Sequence, residues 1–295
     1  MNKSKPLVFF GTEEFSAVSL KALLEDGWNI AAVITKPDSK QGRGQEVSEP
    51  AVKLIAKKYN VPVLQPQDIG SMGKNIRSYN SKFAVLVAYG KIVPAEIIDT
   101  FEGGIINLHP SLLPKYRGPA PIEAAILNGD KETGLSLMKL TPKMDAGSIY
   151  AQEKVKLSGK ETKTELYKQL AKQGANLLIR TLPGILSNEI EPLPQDDKVA
   201  SYTKLIRKDD GIVDFKRPAE QIEREVRAYL GWPKSRAVVS GKEVIIIKVR
   251  VVNSLDSKKL IIQCGNGYIE ILELTAPSGR TMTGEDFIRG YLRET

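Results

Sequence analysis

The chain of 295 residues is poor in side chains that bind metals or form cross-links, with one cysteine, Cys264, and one histidine, His109. A single cysteine cannot form a disulfide within the chain, which suits a reducing compartment. No cluster of cysteines and histidines offers a zinc site, so we expect no metal. No apolar run approaches the length of a membrane-spanning helix. We therefore expect a cytoplasmic protein with no membrane partner, and we predict that it acts as a monomer.

The glycine-rich phosphate-binding motifs are also missing. Only Gly11-Thr12 follows the first apolar run, without a dinucleotide fingerprint or the lysine of a phosphate-binding loop, so neither NAD nor ATP use is supported. The formal net charge of +8 and the isoelectric point near 9.3 favour an anionic partner. Because the chain has no basic tail and no long charge run, nucleic acid would bind to a face or a loop of the folded protein.

Apolar, β-prone runs alternate with helical patterns up to about residue 150. The predicted strands are 7–10, 30–34, 83–87, 104–108 and 135–140. The predicted helices are 13–24, 50–59 and 119–127, and a longer one follows at 163–185. This alternation predicts an α/β fold with a doubly wound, mostly parallel sheet.

A polar, proline-bearing segment at 191–197 marks a linker. Beyond it we predict one helix, 218–230, and two hairpins. The first hairpin pairs 238–239 with 244–252, and the second pairs 260–264 with 268–274 through the turn Gly265-Asn266-Gly267. The sequence therefore predicts an α/β domain at 1–190, a linker at 191–207 and a smaller β-barrel domain at 208–295.

The densest run of special residues is 107–121, which contains His109, four prolines and one glycine and directly follows a predicted strand. Asn107 and His109 are two apart, so in extended backbone their side chains point to the same face. An imidazole suits proton transfer near neutral pH, and an amide N–H suits stabilisation of an oxyanion. The pair predicts a catalytic site at the end of this strand.

Asp145 is the candidate for orienting the imidazole. It follows the predicted strand 135–140 in a loop with Pro142 and Gly147. Because loops of neighbouring parallel strands converge at the carboxyl edge of a sheet, we expect Asp145 to approach His109. Taken singly, each residue has a simpler interpretation: a structural histidine, a turn asparagine and a helix-capping aspartate. Their occurrence together favours the site.

These residues carry a family resemblance. The run Asn107-x-His109-x-Ser111-Leu112-Leu113-Pro114, then Arg117-Gly118-Pro119-Ala120-Pro121-Ile122 and Asp145-Ala146-Gly147, resembles the signature of the folate-dependent formyltransferases. Further matches are Phe10-Gly11-Thr12, Thr35-Lys36-Pro37-Asp38 with Gly42-Arg43-Gly44, and the run from Val87 to Pro94. The likeness covers nearly the whole chain and is greatest to members of the family that act on methionyl-tRNA.

The resemblance implies 10-formyltetrahydrofolate as formyl donor and the α-amine of methionyl initiator tRNA as acceptor. It implies a Rossmann-like formyltransferase domain followed by an oligonucleotide-binding-like barrel that docks on the tRNA. Asn107 and protonated His109 would stabilise the oxyanion of the tetrahedral intermediate, and Asp145 would orient His109 and favour its charged form. No metal and no covalent enzyme intermediate is needed.

The folate is expected along the carboxyl edge of the sheet. The residues expected to bind it are Val87, Ala88, Tyr89 and Gly90 through their backbone, together with the backbone of 141–145, and Ser111, Leu112, Leu113 and Pro114, which would flank it. For Leu112 and Leu113, packing in the core is an alternative to ligand contact.

The polar, glycine-punctuated loop 36–45 is the candidate tRNA contact. In the family the corresponding loop enters the acceptor end of the tRNA, and Arg43 matches its key basic residue. A guanidinium both pairs with phosphate and stacks on bases. Lys36 and Lys40 are the neighbouring candidates. Without the resemblance, the loop would be interpreted as a solvated connection.

Two other classes of function stay open on sequence alone. The same donor could serve an amino sugar, or water in a formyl-folate hydrolase. The Arg43 loop and the β-rich carboxyl-terminal domain favour tRNA, because a small acceptor needs no extended basic surface. The third possibility is a non-catalytic RNA-binding protein, which would have no reason to place Asn107, His109 and Asp145 together.

Overall fold

The structure is a computed structural model that describes residues 3–41 and 46–292. The strands are β1 Leu7–Gly11, β2 Ile30–Ile34, β3 Ser39–Gln41, β4 Glu46–Ser48, β5 Val63–Leu64, β6 Phe83–Val87, β7 Gly104–His109, β8 Glu132–Lys139, β9 Ile149–Lys156, β10 Ser235–Val239, β11 Lys242–Val252, β12 Ile261–Gln263, β13 Tyr268–Thr275 and β14 Thr281–Thr283. The α-helices are α1 Glu14–Glu25, α2 Ala51–Lys58, α3 Gly73–Arg77, α4 Ala95–Ile98, α5 Pro121–Leu127, α6 Lys163–Leu186, α7 Ala219–Ala228 and α8 Gly284–Phe287. Short 3-10 turns occur at Gly70–Met72, Asp197–Val199 and Lys208–Gly211.

The chain divides into two compact units. The first contains Met1–Gly118, Thr133–Val155 and Tyr167–Tyr202, and the second contains Pro119–Glu132, Lys156–Leu166 and Thr203–Thr295. The division into 1–190, 191–207 and 208–295 stays a prediction.

The first unit is built on a sheet with the strand order β5-β2-β1-β6-β7-β8-β9. Strands β5, β2, β1, β6 and β7 are parallel, as the alternation of strands and helices predicted, and β8 pairs antiparallel with β7. β5, β9 and the small hairpin of β3 and β4 were not predicted. The mostly parallel α/β sheet is therefore confirmed. β8, the strand that leads to Asp145, runs antiparallel to β7.

The central strands of this sheet are buried on both faces. Every residue of β1 from Leu7 to Phe10 is 0% exposed. Such continuous apolar runs are typical of parallel sheets covered by helices on both sides. On one side Phe10 makes edge-to-face contacts with Tyr89 and Phe101, with ring centroids 5.5 and 6.1 Å apart. This packing fixes the ends of β1 and β6.

The second unit contains an antiparallel half-barrel with the order β10-β11-β13-β12, in which β14 also pairs with β13. The two predicted hairpins are confirmed, as β10 with β11 and β12 with β13. The buried side of α7, with Ile222 and Val226, joins the apolar core of this sheet. In residues 3–41 and 46–292, no helix is both long and apolar enough to span a bilayer.

Candidate active site

β7 carries two polar side chains into the interior of the first unit. Asn107 is 5% exposed and His109 is 6% exposed. The strand is bonded on both edges: Asn107 pairs with Leu86 of β6 and with Met138 of β8. Because Asn107 and His109 alternate with Leu108, both side chains leave the same face of the sheet. A rigid central strand thus fixes the amide and the imidazole, as the spacing predicted.

Both ring nitrogens of His109 face oxygen acceptors. Nε2 is 2.9 Å from the carbonyl oxygen of Tyr116. Nδ1 is 3.7 Å from Oδ2 of Asp145, which is within ion-pair range but too long for a hydrogen bond. Because a carbonyl oxygen only accepts, Nε2 is the donor of the bond to Tyr116. This bond holds the ring in one orientation, with Nδ1 directed towards the Asp145 carboxylate.

Asp145 reaches His109 by a route that differs from the expected one. Since β8 is antiparallel to β7, with Lys139 opposite Ile106 and Ser136 opposite His109, its end does not lie beside the end of β7. The loop after β8 folds back, and the N–H of Lys139 donates to the carbonyl of Ser148 at 2.8 Å. Asp145 lies in this loop with φ +45°. The expectation of a shared carboxyl edge was wrong for this strand, although the expected proximity is found.

Gly118 anchors the Asp145 carboxylate. The backbone N–H of Gly118 donates to Oδ2 of Asp145 at 2.7 Å. The same oxygen therefore faces both an amide donor and the imidazole of His109. A carboxylate that accepts a backbone hydrogen bond keeps one orientation. The residue that orients the imidazole is itself oriented by the proline-rich loop after β7.

That loop, residues 110–118, is held by buried hydrogen bonds to β8 and by a partly buried one to β9. The hydroxyl of Ser136 donates to the Ser111 carbonyl at 2.7 Å and accepts from the Leu113 N–H at 3.1 Å. Gln152 donates to the Leu113 carbonyl at 2.8 Å. Leu113 is 3% exposed, the Leu113–Pro114 peptide is cis, and the Leu112 side chain packs close to Gly134. The four expected cofactor-flanking residues, Ser111 to Pro114, thus form one rigid turn.

The segment Val87–Gly90 leaves β6 with unusual backbone. Ala88 and Gly90 have φ of +43° and +71°. The Tyr89 side chain is 1% exposed and packs in the core, while its carbonyl accepts from the hydroxyl of Thr12 at 2.8 Å. Burial raises the pKa of Tyr89 to about 12. The Tyr89 ring is therefore part of the core, and binding of a ligand by the backbone of this segment stays a prediction.

Two of the three candidate basic residues, Lys36 and Lys40, are among the described residues. Nζ of Lys36 lies against Gly90, where an added Cβ would be 2.4 Å from it. Lys40 is exposed on β3. Asp38, just before the hairpin of β3 and β4, forms an ion pair with Lys53 at 2.7 Å and accepts a hydrogen bond from Gln65 at 2.6 Å. Arg43 lies outside the described residues.

The structure adds two side chains that sequence reasoning did not assign to the site. Arg117, within the signature run, is 0% exposed. Gln195, within the expected linker, accepts from Arg117 Nε at 3.0 Å and donates to the carbonyls of Asp145 and Gly147 at 2.8 and 2.7 Å. An arginine inside a motif is a detectable signal, whereas a glutamine in a polar linker has none. Within the described ranges, no group of three or more His, Cys, Asp or Glu could hold a metal.

Comparison with known families decides the kind of site. The model of the formyl transferase family matches residues 4–182, and that of the formyl transferase C-terminal domain matches residues 205–292. This chain belongs to the formyltransferase family. Asn107 and His109 on β7, with Asp145 from the loop after β8, are therefore the candidate active site of a formyltransferase.

Among the relatives of this formyltransferase is a methionyl-tRNA formyltransferase of Sulfurihydrogenibium sp. (strain YO3AOP1), which is 39% identical over 97% of this chain and 96% of its own length. Among solved structures, an N-formyltransferase from Helicobacter canadensis has a TM-score of 0.69 at 21% identity, covering 90% of this chain and 98% of its own. HypX from Aquifex aeolicus, in complex with tetrahydrofolic acid, has a TM-score of 0.67 at 15% identity, covering 98% of this chain and 48% of its own. These two structures show the shared fold.

Proposed function

We propose that this formyltransferase moves the formyl group of 10-formyltetrahydrofolate to the α-amine of methionyl initiator tRNA. The observation that carries the proposal is the 39% identity to a methionyl-tRNA formyltransferase across both domains and almost the full length of each chain. A fold alone would not select the acceptor, since one fold hosts several chemistries. The match through the carboxyl-terminal half-barrel extends the likeness beyond the folate-binding part.

The reaction forms one bond and breaks another at the formyl carbon. The methionyl amine attacks this carbon, giving a tetrahedral centre with negative charge on oxygen. Collapse of that centre breaks the bond to N10 of the folate, and one proton passes from the amine to N10. In our mechanism the Asn107 carboxamide donates to the oxyanion, and the imidazolium of His109 adds a second donor. A stabilised oxyanion lowers the barrier of both steps.

The proton on Nδ1 of His109 is the one available for catalysis. Nε2 is engaged with the Tyr116 carbonyl at 2.9 Å, whereas Nδ1 faces Asp145 at 3.7 Å. Because no hydrogen bond engages Nδ1 at that distance, we assign to this proton the role of donor to the oxyanion and then to the leaving nitrogen. Asp145 keeps the ring in place and offsets its charge. General acid and base catalysis of this kind contributes roughly a hundredfold to ten-thousandfold.

We propose that the folate lies at the ends of β6 and β7. The backbone of Val87–Gly90 and of 141–145 would bind its pteridine ring, and the turn 111–114 would flank it. Lys36, beside Gly90, would then face the acceptor end of the tRNA where it meets the folate. Lys40 and Arg43 would contact the tRNA phosphates, and the half-barrel would dock on the body of the tRNA. We expect a cytoplasmic monomer.

An acceptor competition tests the proposal. Purified protein is mixed with 10-formyltetrahydrofolate and, in separate reactions, with methionyl-tRNA, with a nucleotide-linked amino sugar, or with no acceptor. We expect formylmethionyl-tRNA in the first reaction and no turnover in the others. Transfer to the sugar alone, or release of formate without transfer, would assign the chain to another branch of the family.

A further inference from the structure

A segment that composition marks as a linker is hydrogen-bonded to the active-site loops. We call Leu193–Tyr202 the strap. At its start, Leu193 and Ile149 exchange two backbone hydrogen bonds of 2.8 and 2.9 Å. At its end, the Ser201 carbonyl accepts from the Arg117 N–H at 2.8 Å, and the Ser201 hydroxyl accepts from the Tyr116 N–H at 2.9 Å. The strap is therefore attached at one end to the first residue of β9, just after the loop that carries Asp145, and at the other end to the loop that follows β7.

Between these ends, one carboxamide joins the two loops directly. Oε1 of Gln195 accepts from Nε and Nη2 of Arg117 at 3.0 and 2.8 Å, on the loop that follows β7. Nε2 of Gln195 donates to the carbonyls of Asp145 and Gly147 at 2.8 and 2.7 Å, on the loop that follows β8. A carboxamide carries an acceptor oxygen and an NH2 group with two donors at the same end. Gln195 thus satisfies an arginine and two carbonyls at once.

The carboxamide makes two sets of hydrogen bonds, one to Arg117 and one to the carbonyls of Asp145 and Gly147, and the two sets differ in whether other residues support the same group. Arg117 has other partners, since Asp197 binds Nη2 at 2.8 Å and the Tyr202 hydroxyl accepts from Nη1 at 3.1 Å. Burial by itself would lower the pKa of Arg117, but the hydrogen bonds to Asp197 and Tyr202 outweigh burial and raise it. The charge of Arg117 is therefore supported without Gln195. In contrast, both hydrogen bonds from Gln195 to the carbonyls of Asp145 and Gly147 are donated by its Nε2 atom, and no other atom of Gln195 could donate them.

We propose that Gln195 is a positioning residue that sets the place of Asp145 opposite His109. Asp145 is held at two points, its carboxylate by the Gly118 N–H at 2.7 Å and its carbonyl by Gln195 at 2.8 Å. The first point fixes one oxygen, and the second fixes the backbone that carries it. Loss of the second lets the loop tilt and lengthens the Asp145–His109 separation. This inference rests on the proposed catalytic role of His109 and Asp145.

The variant Gln195→Glu separates the contact with Arg117 from the contacts with the Asp145 and Gly147 carbonyls. A glutamate keeps the acceptor for Arg117, and it places a second acceptor against the two carbonyls in place of a donor. We expect kcat for formyl transfer to fall roughly tenfold to a hundredfold, because displacements of about 1 Å cost rates of that order. KM for both substrates and the thermal midpoint should stay close to those of the parent. Gln195→Ala should show a similar loss of kcat.

The matched control is Gln169→Glu, the same chemical change at an exposed position of α6, which should leave kcat unchanged. A parental kcat for Gln195→Glu would overturn the inference, and so would a loss that appears in KM for tRNA instead of kcat. His109→Ala is measured beside them. If His109→Ala is inactive and Gln195→Glu is fully active, the inference fails and the proposed function stands. A fully active His109→Ala would instead remove the proposed mechanism.

Discussion

Replacing Gly147 by alanine should slow formyl transfer about a hundredfold while leaving the first unit folded. A Cβ at Gly147 would lie 1.7 Å from the carbonyl oxygen of Lys139. Real Cβ atoms essentially never come closer than 3.0 Å to another heavy atom, so the two segments must separate by at least 1.3 Å. The Lys139 carbonyl belongs to β8, which is paired with β7. The loop that carries Asp145 therefore has to move.

The expected loss follows from that displacement. Asp145 lies two residues before Gly147, so a shift of the loop carries Asp145 away from the Gly118 N–H and from His109. A misplacement of about 1 Å can lower a rate by about a hundredfold, equivalent to about 2.7 kcal/mol of transition-state stabilisation. The added strain should lower the free energy of unfolding by about 1–3 kcal/mol.

Steady-state kinetics with methionyl-tRNA and 10-formyltetrahydrofolate give kcat, and thermal unfolding checks the fold. Gly73→Ala is the matched control, because its nearest heavy atom would lie 3.8 Å from the new Cβ, an ordinary contact. We expect parental kcat in the control. Parental kcat in Gly147→Ala would refute the argument that the position of this loop controls the rate.

Two further variants test individual side chains. Tyr89→Phe should leave the free energy of unfolding unchanged or raise it by up to about 1 kcal/mol, because the buried hydroxyl has no hydrogen-bond partner in the described residues. A raised KM for the folate would instead show that this hydroxyl binds the formyl-donating folate. Asp197→Asn should lower the thermal midpoint at pH 7 but not in acid. Hydrogen bonds from Lys143 and then Arg117 lower the pKa of Asp197 below its usual 3.8, so its stabilisation is present above that pH and is lost as the pH falls through the lower folded value. Midpoints measured from pH 7 to pH 3 check this: the difference between parent and variant should shrink as the pH falls below 3.8, and a difference of constant size over this range would contradict it.

The parts of the fold that follow local rules could be predicted from the sequence. The apolar runs of β1 and β7 are long, rich in β-branched or aromatic residues, and buried on both faces, which local patterns reveal. β9 was not predicted, because its alternation of exposed and half-buried residues is weak. The hairpin of β3 and β4 was also missed, since its segments are short and polar.

The candidate site also has a part that the local sequence predicts and a part that it does not. The spacing of Asn107 and His109 places both side chains on one face of a strand, so sequence was sufficient for this pair. The approach of Asp145 depends on a strand that reverses direction and a loop that folds back, and neither feature is encoded by residue spacing. The role of Gln195 could not be predicted from the sequence for another reason. Its hydrogen-bond partners lie 48, 50 and 78 residues away along the chain. Long-range hydrogen bonds of this kind leave no local pattern.

The most direct test of the account is the rate of formyl transfer in a single turnover, with enzyme in excess over methionyl-tRNA and saturating donor. Under these conditions the rate reports the chemistry rather than product release. We predict that His109→Ala and Asp145→Asn, both still folded, are slower than the parent by roughly a hundredfold to ten-thousandfold. Rates within a few-fold of the parent in both variants would contradict the claim that the imidazole and its carboxylate partner carry out the transfer.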